Sequence, residues 1–286
     1  MKPLVDCRVV VVGLGLMGGS LAGALRGRCR TVVGLARREE AIEQAQRIGM
    51  IDEGTTDAKA ALREADLVVL ATPVRTIISQ LRTLAPYLPA GSTVMDLGST
   101  KAAILEAMAD LPRDVEPLGA HPMCGKETSG AGEAEPDLYR GCTFILCPLS
   151  RTSDAALALG QELVEAIGAK PLVLDGERQD RLVATLSHLP YLLACTLVQT
   201  ADATTSDDPA AWEIVADGFR DTSRVAGSDV HMMLDILTTN RAEVLRSATA
   251  FRDRFDRLVE SIKMGAEDEL LEMLTQSCEE RKRMFR

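Results

Sequence analysis

VVVVGLGLMGGS, residues 9–20, is the stretch that decides the fold. Four consecutive valines read as a strand buried on both faces. They run straight into Gly13-Leu14-Gly15-Leu16-Met17-Gly18, a G-x-G-x-x-G, and a helical pattern follows. Alone, that motif carries little weight. Between a strand and a helix it is the phosphate-binding turn of a dinucleotide site. Gly13 permits the tight turn, Gly15 lets a pyrophosphate approach the backbone, and Gly18 lets the helix pack close to the strand. Free N–H groups and the helix dipole favour phosphate charge at that point. Gly13, Gly15, Leu16, Met17 and Gly18 are therefore the first candidate cofactor contacts, a bland βα turn being the alternative.

The next strand, TVVGL at 31–35, is followed by Ala36-Arg37-Arg38. An NAD site usually places Asp or Glu here to bind the ribose 2′-hydroxyl. No carboxylate stands there. Ala36 leaves room, and Arg37 and Arg38 offer forked donors for a 2′-phosphate. NADP is the expected cofactor, NAD the alternative, and two solvated arginines the structural reading.

Strands are expected at 8–12, 31–35, 67–71, 93–96, 116–120, 143–147 and 171–174, with helices at 18–26, 39–48, 77–84, 101–108 and 157–167. Strands interleaved with helices mean a doubly wound parallel sheet. After Asp175 no strand pattern returns. A long helical stretch at 179–200 is interrupted by Pro190, and helices are expected at 209–219, 229–239, 241–264 and 266–285. The expected fold is α/β, a Rossmann-type doubly wound domain (1–175) followed by an all-helical domain (176–286) for substrate binding and dimerisation. The apolar helical faces point to a homodimer, with burial against the first domain as the alternative.

The chain of 286 residues is long enough for two sizeable cores. Its net charge of −10 argues against nucleic-acid binding, which needs a basic face. Met1-Lys2-Pro3 runs directly into a strand without a signal-peptide pattern, and no apolar run is read as membrane-spanning. Seven scattered cysteines without a C-x-x-C fit neither a zinc site nor a disulfide frame. The expectation is a reduced, cytoplasmic protein with no metal.

There are three histidines. His121, in LGAHPMCG, is read as just past a strand end, where open α/β sheets bind ligands. A neutral imidazole there suits proton removal from a hydroxyl, and a structural loop histidine is equally consistent. Ser99, in DLGSTK, suits orienting a substrate oxygen, or capping the following helix. Thr72-Pro73 ends the strand LVVLA, beside the expected cofactor or as ordinary turn chemistry. His188 lies in SHLPY, where Pro190 should open a kink, with a satisfied core histidine as the alternative. Arg224, in GFRDTSR, suits a substrate carboxylate, or an ion pair with Asp221 or Asp229.

Taken in order, VVGLGLMGGS, DLGSTK, GAHPMCGKETSG, SHLPY and GFRDTSR resemble the prephenate/arogenate dehydrogenases of tyrosine biosynthesis. The missing acid and GFRDTSR resemble the NADP-dependent arogenate dehydrogenases of cyanobacterial type. The resemblance implies that His121 is the general base on the C4 hydroxyl of a cyclohexadiene. Hydride would pass from C4 to the nicotinamide, and carbon dioxide would leave as the ring aromatises. Ser99 would hydrogen-bond the reacting hydroxyl or His121. Arg224 would bind a substrate carboxylate and His188 would line the pocket, between the two domains.

Two departures bear on substrate choice. Tyr191 stands where many prephenate-specific relatives carry a second histidine, and Lys126 where many have threonine. Losing a histidine favours the ammonium of arogenate over the keto group of prephenate, with Asp180 as a candidate carboxylate for that ammonium. Lys126 cuts the other way. With no regulatory domain after Arg286, tyrosine is expected to inhibit competitively. A β-hydroxyacid dehydrogenase is disfavoured because 179–200 contains no lysine. A non-catalytic NADP-binding sensor would not need His121, Ser99 and Arg224 together.

Overall fold

The computed structural model describes residues 2–126 and 130–285. Eight strands form one sheet: β1 Arg8–Val12, β2 Thr31–Leu35, β3 Glu53–Thr55, β4 Leu67–Leu70, β5 Thr93–Asp96, β6 Glu116–Pro122, β7 Thr143–Pro148 and β8 Lys170–Val173. The spatial order is β3-β2-β1-β4-β5-β6-β7-β8. All neighbours are parallel except β6 and β7. The order reverses between β1 and β4, the switch point where such sheets open a ligand crevice.

Helices α1 Leu16–Leu25, α2 Glu39–Arg47, α3 Ala58–Leu62, α4 Val74–Leu84, α5 Ala102–Ala109 and α6 Asp154–Ala166 cover the sheet. The valines of β1 alternate between its two faces. Val9 and Val11 join a core with Leu21 of α1 and Leu163 of α6; Val10 and Val12 join another with Ile77 of α4 and Ile104 of α5. This two-sided burial is why the strand is continuously apolar.

The remaining helices are α7 Gly176–Val183, α8 Leu189–Thr205, α9 Asp217–Ser223, α10 Val230–Thr239, α11 Arg241–Met264 and α12 Glu267–Met284. Two compact units result, Met1–Asn240 and Arg241–Arg286. The strands stop near Asp175, but α10 stays with the first unit. Arg75 at the start of α4 holds Asp235 and Thr238, and the Thr100 and Thr239 hydroxyls meet at 2.8 Å. In the second unit α11 and α12 pair, Ser261 bonding Glu269 at 3.1 Å. Val244 and Ser261 are its buried residues, while Leu245, Phe255, Val259, Ile262, Leu271 and Leu274 are exposed.

Several expectations are corrected. β6 extends two residues beyond the expected end, so His121 lies inside the strand. Antiparallel pairing with β7 (His121 opposite Ile145, Pro122 opposite Phe144) carries β6 past the point where parallel β5 supports it. β3 and α3 were not expected; β3 has only three residues and α3 five, too short for a hydrophobic period. The helix expected at 209–219 does not form. Asp208 accepts a bond from the Ala210 N–H at 2.9 Å, starting a run of turns, and α9 begins at Asp217. Finally, α7, a π-helical turn at Ala184–His188 and α8 make one continuous stretch, Gly176–Thr205. By length and composition it is apolar enough to cross a membrane, contrary to the sequence reading. The interruption expected at Pro190 becomes that π turn, because proline in the first turn of α8 offers no N–H to the preceding turn.

Candidate active site

At the glycine turn the backbone supplies the site. Gly13 has φ +99°, and its N–H bonds the Leu35 carbonyl at 2.8 Å, so Ala36 and Arg37 follow directly beside the turn. A Cβ on Gly18 would sit 1.8 Å from the Gly13 carbonyl oxygen, whereas one on Gly15 would meet nothing within 4 Å. Gly18 is thus required for packing, and Gly15 leaves open space at the start of α1. No side chain caps that helix, so its first N–H groups face outward for a phosphate. Leu16 is buried and Met17 partly buried, its carbonyl accepting the Tyr139 hydroxyl at 2.7 Å. Arg37 and Arg38 are exposed and make no ion pair among the described residues. These features fit a dinucleotide phosphate. Thr72 packs against Gly13 through its methyl, and its hydroxyl bonds Gln80 at 2.7 Å; Pro73 precedes α4.

The second part of the site gathers polar groups at the ends of β5 and β6. Asp96 and Lys101 are fully buried and form an ion pair. Together they grip the peptide groups around Ala120: Asp96 accepts the Ala120 N–H at 3.0 Å, and Lys101 Nζ donates to the Ala120 carbonyl at 2.7 Å. The residue held next in the chain is His121. Burial pushes the Asp96 carboxyl up, against the pull of Lys101.

His121 is 9% exposed. Burial, then the charge of Lys101, then the proximity of His188 push its pKa down to about 3, against a smaller upward pull from the Gln179 amide. The ring is therefore neutral at physiological pH, as a general base must be. His188 closes the π turn, 1% exposed, its Nδ1 3.4 Å from Asn240 Nδ2. Burial pushes it down to about 4. The structure thus brings His121 and His188 into one cluster.

Asp180 is corrected. Its two carboxylate oxygens accept the Lys101 and Ala102 N–H groups at 2.7 and 2.8 Å, so it caps α5 from across the fold. It is 3% exposed, and that binding makes it unsuited to holding a substrate ammonium. Ser99 and Thr100 do not cap α5. The Ser99 carbonyl accepts Gln179 Nε2 at 3.3 Å, which ties Ser99 to the cluster through its backbone. Gln179, fully buried, was missed by sequence reasoning; an amide in a polar stretch carries no motif.

The other expected residues lie elsewhere in the same unit. Tyr191 is half-buried in the first turns of α8, its phenol pKa raised by burial and by Cys195. Arg224 is exposed and opens the short 3-10 turn Arg224–Gly227, which packs against α8. Lys126 forms an ion pair with Glu135 at 2.6 Å. Residues 127–129 of the GAHPMCGKETSG motif lie outside the described residues.

Comparison with known proteins agrees with this arrangement. The family model "Prephenate dehydrogenase, nucleotide-binding domain" matches residues 21–173, and "Prephenate dehydrogenase, dimerization domain" matches 175–276. Prephenate dehydrogenase of Lactococcus lactis is 31% identical over 88% of this chain and 70% of its own length. The structure of Aquifex aeolicus prephenate dehydrogenase in complex with hydroxyphenyl propionate and NAD+ superposes with TM-score 0.91 at 32% identity, covering 99% of this chain and 100% of that one. Synechocystis arogenate dehydrogenase superposes with TM-score 0.85 at 31% identity, covering 97% and 99%. With both domain models matched in order along a sheet and helices that fit them, the chain belongs to the prephenate/arogenate dehydrogenase family of oxidoreductases.

Proposed function

We propose that this protein oxidatively decarboxylates arogenate to tyrosine, with hydride transfer to NADP. The observation that carries the reading is the desolvated His121, held neutral at the carboxyl end of β6 and joined to Ser99 and His188 in one cluster. When bound, the nicotinamide dinucleotide supplies the two-electron acceptor, taking hydride from C4 of the substrate. Gly13, Gly15, Leu16, Met17 and Gly18 would hold its pyrophosphate, Arg37 or Arg38 its 2′-phosphate, with Ala36 and Thr72-Pro73 lining its path.

His121 takes the proton of the C4 hydroxyl as hydride leaves the same carbon. Ser99 orients that hydroxyl. The Asp96–Lys101 pair holds the backbone of Ala120, next to His121, and Lys101 together with burial keeps the ring unprotonated. Arg224 pairs with a substrate carboxylate, and His188 and Tyr191 line the pocket. Tyr191, in place of a second histidine, is the residue in favour of arogenate. Lys126, the departure that counts against an ammonium, is paired with Glu135. Residues 1–175 carry the cofactor, and 176–286 carry substrate contacts and the face of a homodimer. The expected site of action is the cytoplasm.

A second reading, prephenate oxidation with NAD(P), is favoured by the names of relatives and by the NAD+ in the Aquifex structure. Initial rates with arogenate and prephenate, each with NADP and NAD, separate the two. Chief activity with arogenate and NADP supports the first reading, and chief activity with prephenate the second. Inactivity with all four pairs overturns both. Added tyrosine should raise the apparent KM at constant kcat.

A further inference from the structure

The Gln179 amide has one satisfactory orientation. Its Nε2 donates to the Ser99 carbonyl at 3.3 Å and to Asp180 Oδ1 at 3.2 Å. Both partners are acceptors, so turning the amide over would set Oε1 against two oxygens. Oε1 is thereby directed away from them, sealed from solvent and without a hydrogen-bond partner. His121 Nδ1 is sealed and unpartnered in the same way. The Gln179 amide lies close enough to the ring to favour its charged form, as an acceptor oxygen does. Buried polar atoms are seldom left unpaired. An acceptor and a nitrogen able to carry a proton, both orphaned beside one another, are two halves of one hydrogen bond. Such bonds are often loose without substrate and tighten when it binds.

We propose that Gln179 is a positioning residue: its Oε1 accepts from His121 Nδ1–H, fixes that tautomer, and leaves Nε2 unprotonated to act as the base. The opposite tautomer would direct a ring lone pair at the amide oxygen, two acceptors facing each other in a low-dielectric pocket. Of the other groups acting on the ring, Lys101 before α5 has no acceptor to offer, and His188 at the end of the π turn sets its Nδ1 against Asn240 Nδ2 at 3.4 Å. Adjacent residues of α7 thus divide the work. Asp180 fixes the start of α5, and Gln179 links the Ser99 carbonyl to the imidazole. This inference rests on the reading of His121 as general base.

The chain has three histidines, so ring-15N labelling gives three imidazoles, assigned with His121→Asn and His188→Asn. In the resting wild-type protein at pH 7, His121 should show a protonated Nδ1 and a bare Nε2. Gln179→Leu should shift it toward the Nε2–H form and lower kcat about 10- to 100-fold with little change in KM. Gln179→Glu keeps an acceptor. It should hold the Nδ1–H form and move the acid limb of kcat to higher pH. An Nε2–H tautomer in the wild type, or an unchanged tautomer in a folded Gln179→Leu protein, overturns the proposal. The tautomer is read without substrate. Full activity in His121→Asn alongside the expected tautomer would therefore uphold the Gln179 contact and overturn the base assignment instead.

Discussion

A Cβ on Gly15 would meet nothing within 4 Å, and Arg37 and Arg38 beside that turn are exposed; around Ala120, by contrast, Asp96, Lys101 and Gln179 are sealed from solvent. One region is built from absences and free backbone N–H groups, because a phosphate needs close approach and brings its own charge. The other is built from charged and polar side chains in a low dielectric, where burial and the charge of Lys101 keep His121 neutral. The first should tolerate a Cβ at Gly15 in its fold but not in its ligand. In the second, fold and chemistry are coupled.

The largest effect expected from that coupling is in His121→Asn. Loss of the general base should lower kcat by roughly 10²- to 10⁴-fold, read by initial rates, with circular dichroism unchanged. Activity within tenfold of wild type would remove His121 from the mechanism.

Lys101→Met strands the Asp96 charge in the interior and should cost about 3–5 kcal/mol in denaturant unfolding. The double variant Asp96→Asn/Lys101→Met removes both charges and should recover part of the loss. No recovery would mean that the pair is needed for its hydrogen bonds to Ala120 rather than for charge balance.

Acid sharpens the contrast further. His121 and His188 are held at about 3 and about 4, below the usual 6.5 of an unfolded histidine. As pH falls through 6.5 the unfolded chain takes up protons and the folded one does not. The stability difference is therefore fully favourable above that value and is lost as pH falls toward the folded pKa values. In His188→Asn the stability lost between pH 6.5 and 4.5 should shrink by about 2–3 kcal/mol. Asp96 and Asp180, pushed up by burial, titrate in both proteins and cancel in this difference. Equal losses in the two proteins would show that His188 is solvated.

The smallest effects belong to the glycine turn. Gly15→Ala should leave Tm unchanged while raising the KM for the dinucleotide about tenfold, whereas Gly18→Ala should lower Tm through the clash with the Gly13 carbonyl. Arg37→Ala should raise the KM for NADP about tenfold and that for NAD little. Equal effects on both would move the 2′-phosphate contact elsewhere.

The dinucleotide half was legible because its signals are local. A run of valines and three glycines sit in one short stretch, and local rules of turn, helix start and strand burial read them directly. The buried half was legible only in part. The motifs singled out His121, Ser99 and His188 as candidates, and the fold gathers them in one cluster. Asp180 was assigned to the substrate because only its residue type and spacing were visible. Its true partners, the N–H groups of Lys101 and Ala102, lie about 80 positions away in the chain.

By itself, then, the sequence determined a doubly wound sheet, a phosphate-binding turn, a helical second half and the family to which these belong. The tertiary structure alone decided that β6 extends through His121, that Asp96 and Lys101 clamp Ala120, that Asp180 caps α5 and that Gln179 is buried against the Ser99 carbonyl and Asp180. The physical reason is desolvation. Whether a carboxylate binds a ligand or a helix end, and whether a histidine is charged, depends on what is packed around it, and that is set by contacts between residues far apart in the chain.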